Sequence, residues 1–145
     1  MFDIAFIPGE PPFEDEEGAG RWGRTVMGGF SERFVAPIGW WQPADYERQW
    51  IEGADRLLRG ESPSAFVVEA GWIWWLAWRE GADVFVHQRY LVEDSMAPAR
   101  TALPADLPYE LIGPRITRTA EGTSVSEWRV SLDDVRDFVA RRTGG

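Results

Sequence analysis

The 145-residue sequence carries 24 acidic residues against 15 basic ones, giving a net charge of −9, with no cysteine, one histidine and nine tryptophans. All 15 of those basic residues are Arg; the missing Cys excludes disulfides, thiolate metal sites and Cys nucleophiles, the single His excludes HExxH zinc chemistry, and the missing Lys excludes a P-loop, a Schiff base and a Ser/Lys dyad. The acidity argues against nucleic acid as a partner, because phosphate contacts need clustered cations. Phe2 to Ile7 alternates weakly and is predicted as a first strand. No basic segment precedes it, so no secretory signal is expected. Residues 8–20, rich in Pro, Gly and acid, are predicted as an acidic loop. Arg24 to Ile38 is predicted as a strand pair or one bent strand, with Gly28-Gly29 as turn or bulge.

A helix is predicted from Pro43 to Arg59. Proline suits the first helical turn, and Gly60 suits the position after the last. Tyr46, Trp50, Ala54, Leu57 and Leu58 recur on one apolar face. The opposite face pairs Arg48 with Glu52, Glu52 with Arg56 and Asp55 with Arg59, a solvated and nearly self-neutral surface. Residues 64–70 are predicted as a strand, and Trp72–Arg79 with Asp83–Glu93 as a hairpin turning at Glu80-Gly81-Ala82. Both faces of the first arm are apolar, as in a central strand covered on both sides. That arm also holds the longest apolar run, Trp72 to Trp78, far short of the ~20 residues that span a bilayer. The chain is therefore expected to be cytoplasmic, with no membrane partner.

Residues 94–110 are predicted as a long loop, and Pro114–Thr119 with Ser124–Val130 as a second hairpin. A last helix starts with Ser131 as its cap, with Asp133 and Asp134 in the first turn and Arg141 and Arg142 in the last. The expected architecture is α+β over a single domain, residues 1–145. It has one antiparallel sheet of about five to six strands, the central helix on one face and the C-terminal helix beside it.

Few residues suggest catalysis. His87 lies in a predicted strand with no Ser nucleophile motif and is expected to be partly exposed. Glu69 and Asp83 are the carboxylate pair that could serve hydrolysis. Glu14-Asp15-Glu16-Glu17 lacks the alternation of a calcium loop. No catalytic residue, metal or cofactor is expected. The charge is uneven: residues 1–17 hold six acids and no Arg, and residues 61–110 hold eight acids against three Arg. Such a field can steer a basic partner. Most of the tryptophans should pack the core, with Trp22, Trp40 and Trp41 the candidates for exposure.

The run Trp41, Asp45-Tyr46, Gln49-Trp50, Gly53, Arg56-Leu57 and Gly60 resembles the helix signature of contact-dependent growth inhibition immunity proteins. Ser64-Ala65, Trp74-Trp75, Val84-Phe85-Val86 and the stretch from Ser126-Glu127-Trp128 through Val130-Ser131-Leu132 to Asp134 are similar to that family too. The resemblance implies a small non-enzymatic inhibitor that binds the C-terminal domain of a toxin, often a nuclease. It also implies that Trp41, Asp45, Tyr46, Gln49, Trp50, Gly53, Leu57 and Trp128 are scaffold. On that reading the acidic surface meets the toxin's basic face as a phosphate mimic. Glu80, Asp83, Glu93 and Asp94 are the expected contacts, with Glu14, Asp15, Glu16 and Glu17 as a second patch. The chain is expected to be a monomer on its own. The alternative function is a small-ligand or carbohydrate-binding module that uses exposed tryptophans.

Overall fold

The computed structural model describes residues 1–16, 18–92 and 95–144. The first strands are β1 (Phe2–Phe6), β2 (Phe13–Asp15), β3 (Gly18–Met27) and β4 (Phe30–Ile38). β3 is the spine of an N-terminal sheet. β4 pairs along one of its edges, and β1 and β2 follow one another along the other, all antiparallel. Gly28, at φ +64°, makes the tight β3–β4 turn in a backbone region open to glycine at little cost. Residues 8–20, expected as loop, contain β2 and the start of β3. The ladder extends there because β4 is long enough to pair Ile38 with Ala19 and Pro37 with Gly20.

α1 (Pro43–Leu58) follows, entered through a reciprocal cap in which Gln42 N–H donates to the Asp45 carboxylate at 2.8 Å. Then come β5 (Ser64–Glu69), β6 (Ile73–Glu80), β7 (Asp83–Tyr90), β8 (Trp128–Ser131) and α2 (Leu132–Arg142). These four strands form a second antiparallel sheet in sequence order. The α+β class therefore holds, but the single sheet of five to six strands is replaced by two four-stranded sheets. Apolar alternation reports which side of a strand is buried, not which sheet it joins. Two sheets that share a core give the same pattern as one.

The core lies where the sheets and helices meet. The Phe2 ring sits 5.0 Å from Phe66 and 5.0 Å from Phe138. Phe30 sits 4.7 Å from Trp128, and Trp50 of α1 sits 5.1 Å from Phe6. β6 is covered on both faces, as its continuous apolar run requires. Trp75 faces the N-terminal sheet through Phe30. On the other face Trp78 Nε1 donates to Gly113 O at 2.9 Å, under a connection whose Leu91, Met96, Ala99 and Ile112 are buried.

The expected second hairpin is formed only in part. Its tip alone is present: an antiparallel bridge joins Arg118 and Ser124, Thr119 N–H donates to Thr123 O at 2.8 Å and Val125 N–H to Thr117 O at 3.0 Å, while Trp128–Ser131 pairs with β7 instead. Residues 116–124 are all exposed and have no apolar face to lay on a sheet, whereas β7 offers Trp128 and Val130 a buried neighbour. α2 begins where the sequence predicts, with Ser131 Oγ accepting from Asp134 N–H at 3.0 Å. No helix among the described residues is long and apolar enough to cross a membrane.

Candidate interaction surfaces

β5 is an edge strand, and an open edge exposes backbone groups that invite pairing with another chain. Here α1 closes it with side chains. Gln49 Nε2 donates to Ala65 O at 2.7 Å, and Val67 N–H donates to Gln49 Oε1 at 2.7 Å. Trp50 Nε1 donates to Val67 O at 2.6 Å. Tyr46 Oη donates to Pro37 O at 2.7 Å and accepts from Ala70 N–H, so it ties the two sheets together. Burial holds the Tyr46 pKa well above its usual value. Gly53 lets the helix approach: a Cβ there would collide with Ala65 O. Trp41, Tyr46, Gln49, Trp50, Gly53 and Leu57 are all buried, Asp45 caps α1, and Trp128 is half-buried against Trp75 and Phe30.

The acidic candidates fall in different places. Glu80 and Asp83 flank the β6–β7 turn and pair across it. Glu80 is 55% exposed and binds Arg115. Asp83 is half-buried, and Glu14 and Glu16 are exposed. Asp15 lies in β2. Glu17, Glu93 and Asp94 lie outside the described residues. A further acidic surface was not anticipated. The outer face of α1 and the 103–110 connection enclose two adjoining hollows of about 490 and 410 Å³. Asp45, Glu52, Asp106 and Glu110 line them, with Arg48 as the cation among them. The spacing of Glu52 within a neutral-looking helix face concealed it, because the carboxylates that join it come from a distant loop.

His87 is buried rather than partly exposed, being 2% accessible. The reason is the 113–127 stretch, which folds over that face of β7. Its Glu127 carboxylate lies 2.7 Å from His87 Nε2 and accepts two bonds from Arg115, from Nε at 2.7 Å and from Nη2 at 2.6 Å. Those Arg115 bonds hold the Glu127 carboxyl down to a pKa of about 2, with His87 helping. Arg115 also stacks 3.8 Å above the Phe85 ring. The cluster pins a connection to a sheet. It places no Ser or Thr hydroxyl on the imidazole. The Glu69–Asp83 pair is excluded as well. Glu69 pairs with Ile73 at one end of β6 and Asp83 with Glu80 at the other. Eight extended residues separate these ends by roughly 23 Å, beyond the ~5–9.5 Å that glycoside hydrolysis uses. Among the described residues, no group of three or more His, Asp or Glu is placed to hold a metal.

The tryptophans divide sharply. Trp41, Trp50, Trp74, Trp75 and Trp78 are buried, Trp22 and Trp128 are intermediate, and Trp40 and Trp72 are each 51% exposed. Trp41, expected near the surface, is turned inward, and its Nε1 donates to Ala102 O at 3.2 Å. Its neighbour Trp40 points the other way and, with Trp72 and Arg100, lines an open hollow of about 390 Å³.

A family model described as the CdiI N-terminal domain matches residues 36–138. The Immunity protein CdiI of Enterobacter cloacae subsp. cloacae is 25% identical over 145 residues, which cover 95% of this chain and 96% of that protein. A chain of the solved CdiA-CT/CdiI toxin and immunity complex from Enterobacter cloacae has the same fold. Its TM-score is 0.83 at 21% identity, with 100% of both chains covered.

Proposed function

Because this chain belongs to the family of the CdiI N-terminal domain, we propose that it is a non-enzymatic immunity protein that binds and neutralises a cognate toxin domain. The family match over residues 36–138 carries this reading. It is supported by a relative named as an immunity protein and by a structural neighbour solved in a toxin and immunity complex. The toxin acts on nucleic acid, and the acidic surface of this chain occupies the basic face that would otherwise hold phosphates. The net charge of −9 supports that assignment. A field of one sign raises the encounter rate with a cationic partner and rejects anionic ones. Glu80, Asp83, Glu93 and Asp94, with the 14–17 run, are the proposed contacts. The α1 groove with Glu52, Asp106 and Glu110 joins them. The signature residues Tyr46, Gln49, Trp50 and Gly53 serve the scaffold: Gln49 and Trp50 spend their polar side-chain atoms on the β5 edge, Tyr46 ties the two sheets, and Gly53 makes room for the close approach. The chain works as a cytoplasmic monomer until it meets the toxin.

Co-expression with the C-terminal domain of the protein encoded by the adjacent upstream gene, taken as the toxin, tests the proposal. Purification through a tag on the toxin should recover both chains in equal amounts, with the toxin inactive. A toxin that purifies alone and keeps its activity in the presence of this chain overturns the reading.

A further inference from the structure

Trp40 and Trp72 come from different elements and share one hollow. Trp40 follows β4 at a sharp turn, where Gly39 N–H donates to Trp41 O at 3.1 Å and the two indoles diverge. Trp72 sits in the β5–β6 turn, held by Trp72 N–H donating to Glu69 O and by Leu91 N–H donating to Trp72 O, each at 2.9 Å. Arg100 lines the same hollow and is packed on Trp72. Its guanidinium lies 4.4 Å from the Trp72 ring centroid, and its Nε donates to Gly71 O at 3.1 Å. Gly71 lies so close that a Cβ would approach Arg100 O to 3.2 Å. The guanidinium is therefore held in position, and among the described residues no carboxylate pairs with its terminal nitrogens. In a chain with 24 acids, a placed cation with open donors is set apart from its surroundings.

Half-exposed Trp and a stacked Arg are the residue types that dominate binding energy at protein interfaces. Apart from Arg100 and Thr101, the lining offers Ala70, Gly71 and Ala97, which have no polar side chains to pair with sugar hydroxyls. We propose that this hollow is an anchor site for the toxin domain. It takes an apolar side chain between the indoles, with a neighbouring carboxylate paired to Arg100. The inference rests on the toxin-binding reading and adds a contact of opposite sign to it. A net acidic surface attracts any basic protein, and a cation fixed at this hollow selects the partner and orientation that place a carboxylate there.

The test measures affinity for the toxin domain recovered by the co-expression above. The variants are Trp72→Ala, Trp40→Ala, Arg100→Glu and Arg100→Lys, with thermal melts to show that each stays folded. Trp72→Ala and Arg100→Glu should each weaken binding by roughly thirty-fold or more. Arg100→Lys should fall between them and wild type, because it keeps the charge but loses the planar fork. Wild-type affinity in both Trp72→Ala and Arg100→Glu overturns the inference and leaves the immunity reading standing. A wild-type chain that does not bind the toxin removes both. An oligosaccharide that quenches the tryptophan fluorescence of wild type but not of Trp72→Ala, with toxin affinity unchanged in that variant, overturns it in favour of a sugar site.

Discussion

Gln49 pairs with Val67 as a neighbouring strand would. Its side-chain carbonyl accepts the Val67 N–H, and its amide donates to the carbonyl of Ala65, two residues before. A helix thereby closes the edge of a sheet without adding a strand. Truncation to Gln49→Ala leaves both backbone groups buried and unpaired. The expected loss is about 2–4 kcal/mol of unfolding free energy, measured by urea denaturation. A loss below half a kcal/mol would show that water or a shifted neighbour takes over both bonds.

Gly53→Ala pits two effects against each other. Alanine favours the helix by about 1 kcal/mol. Its Cβ, however, meets Ala65 O, a backbone atom that moves only with the whole strand. The clash wins, and a net destabilisation of roughly 1–3 kcal/mol is expected. A stabilised variant would mean that α1 can lift off β5.

These two residues show what was legible in the sequence. The spacing of Tyr46, Trp50, Ala54 and Leu57 locates α1 and its buried face. Pro43, Gly60 and Ser131 locate helix ends, because each acts within a turn of its own position. The β3–β4 and β6–β7 turns were readable for the same reason. What Gln49 does was not, since it depends on a strand sixteen residues away whose edge is open only in three dimensions. The same holds for the division into two sheets, for the burial of His87 under Glu127 and for the inward turn of Trp41. The His87 face of β7 reads as mixed because its cover, the 113–127 stretch, is itself polar. The acidic groove beside Glu52 needed Asp106 and Glu110 to be brought across from the connection.

The Arg115–Glu127 bond pair predicts a definite dependence on pH. The folded-state pKa of Glu127 is depressed to about 2, from an ordinary value of 4.5. Its contribution is therefore complete above pH 4.5 and is lost as the pH falls towards 2. Wild type and Glu127→Gln should then differ most in stability near neutral pH and converge in acid. Denaturation curves at stepped pH check this, and a constant difference across that window contradicts it.

The electrostatic proposal separates two surfaces. Neutralising Glu80, Asp83, Glu93 and Asp94 together should slow association with the toxin at low salt by roughly tenfold or more, with a flatter salt dependence. Neutralising Glu52, Asp106 and Glu110 should do the same if the α1 groove shares the contact. Stopped-flow association at several ionic strengths distinguishes them. Unchanged rates for both sets would leave neutralisation without an acidic surface.

The central claim is neutralisation by binding. Titrating this chain into a fixed amount of the toxin domain it is proposed to bind, while following the toxin's activity, tests that most directly. Activity should fall linearly to zero at one molar equivalent. Activity that persists through a large molar excess of the folded chain would contradict it.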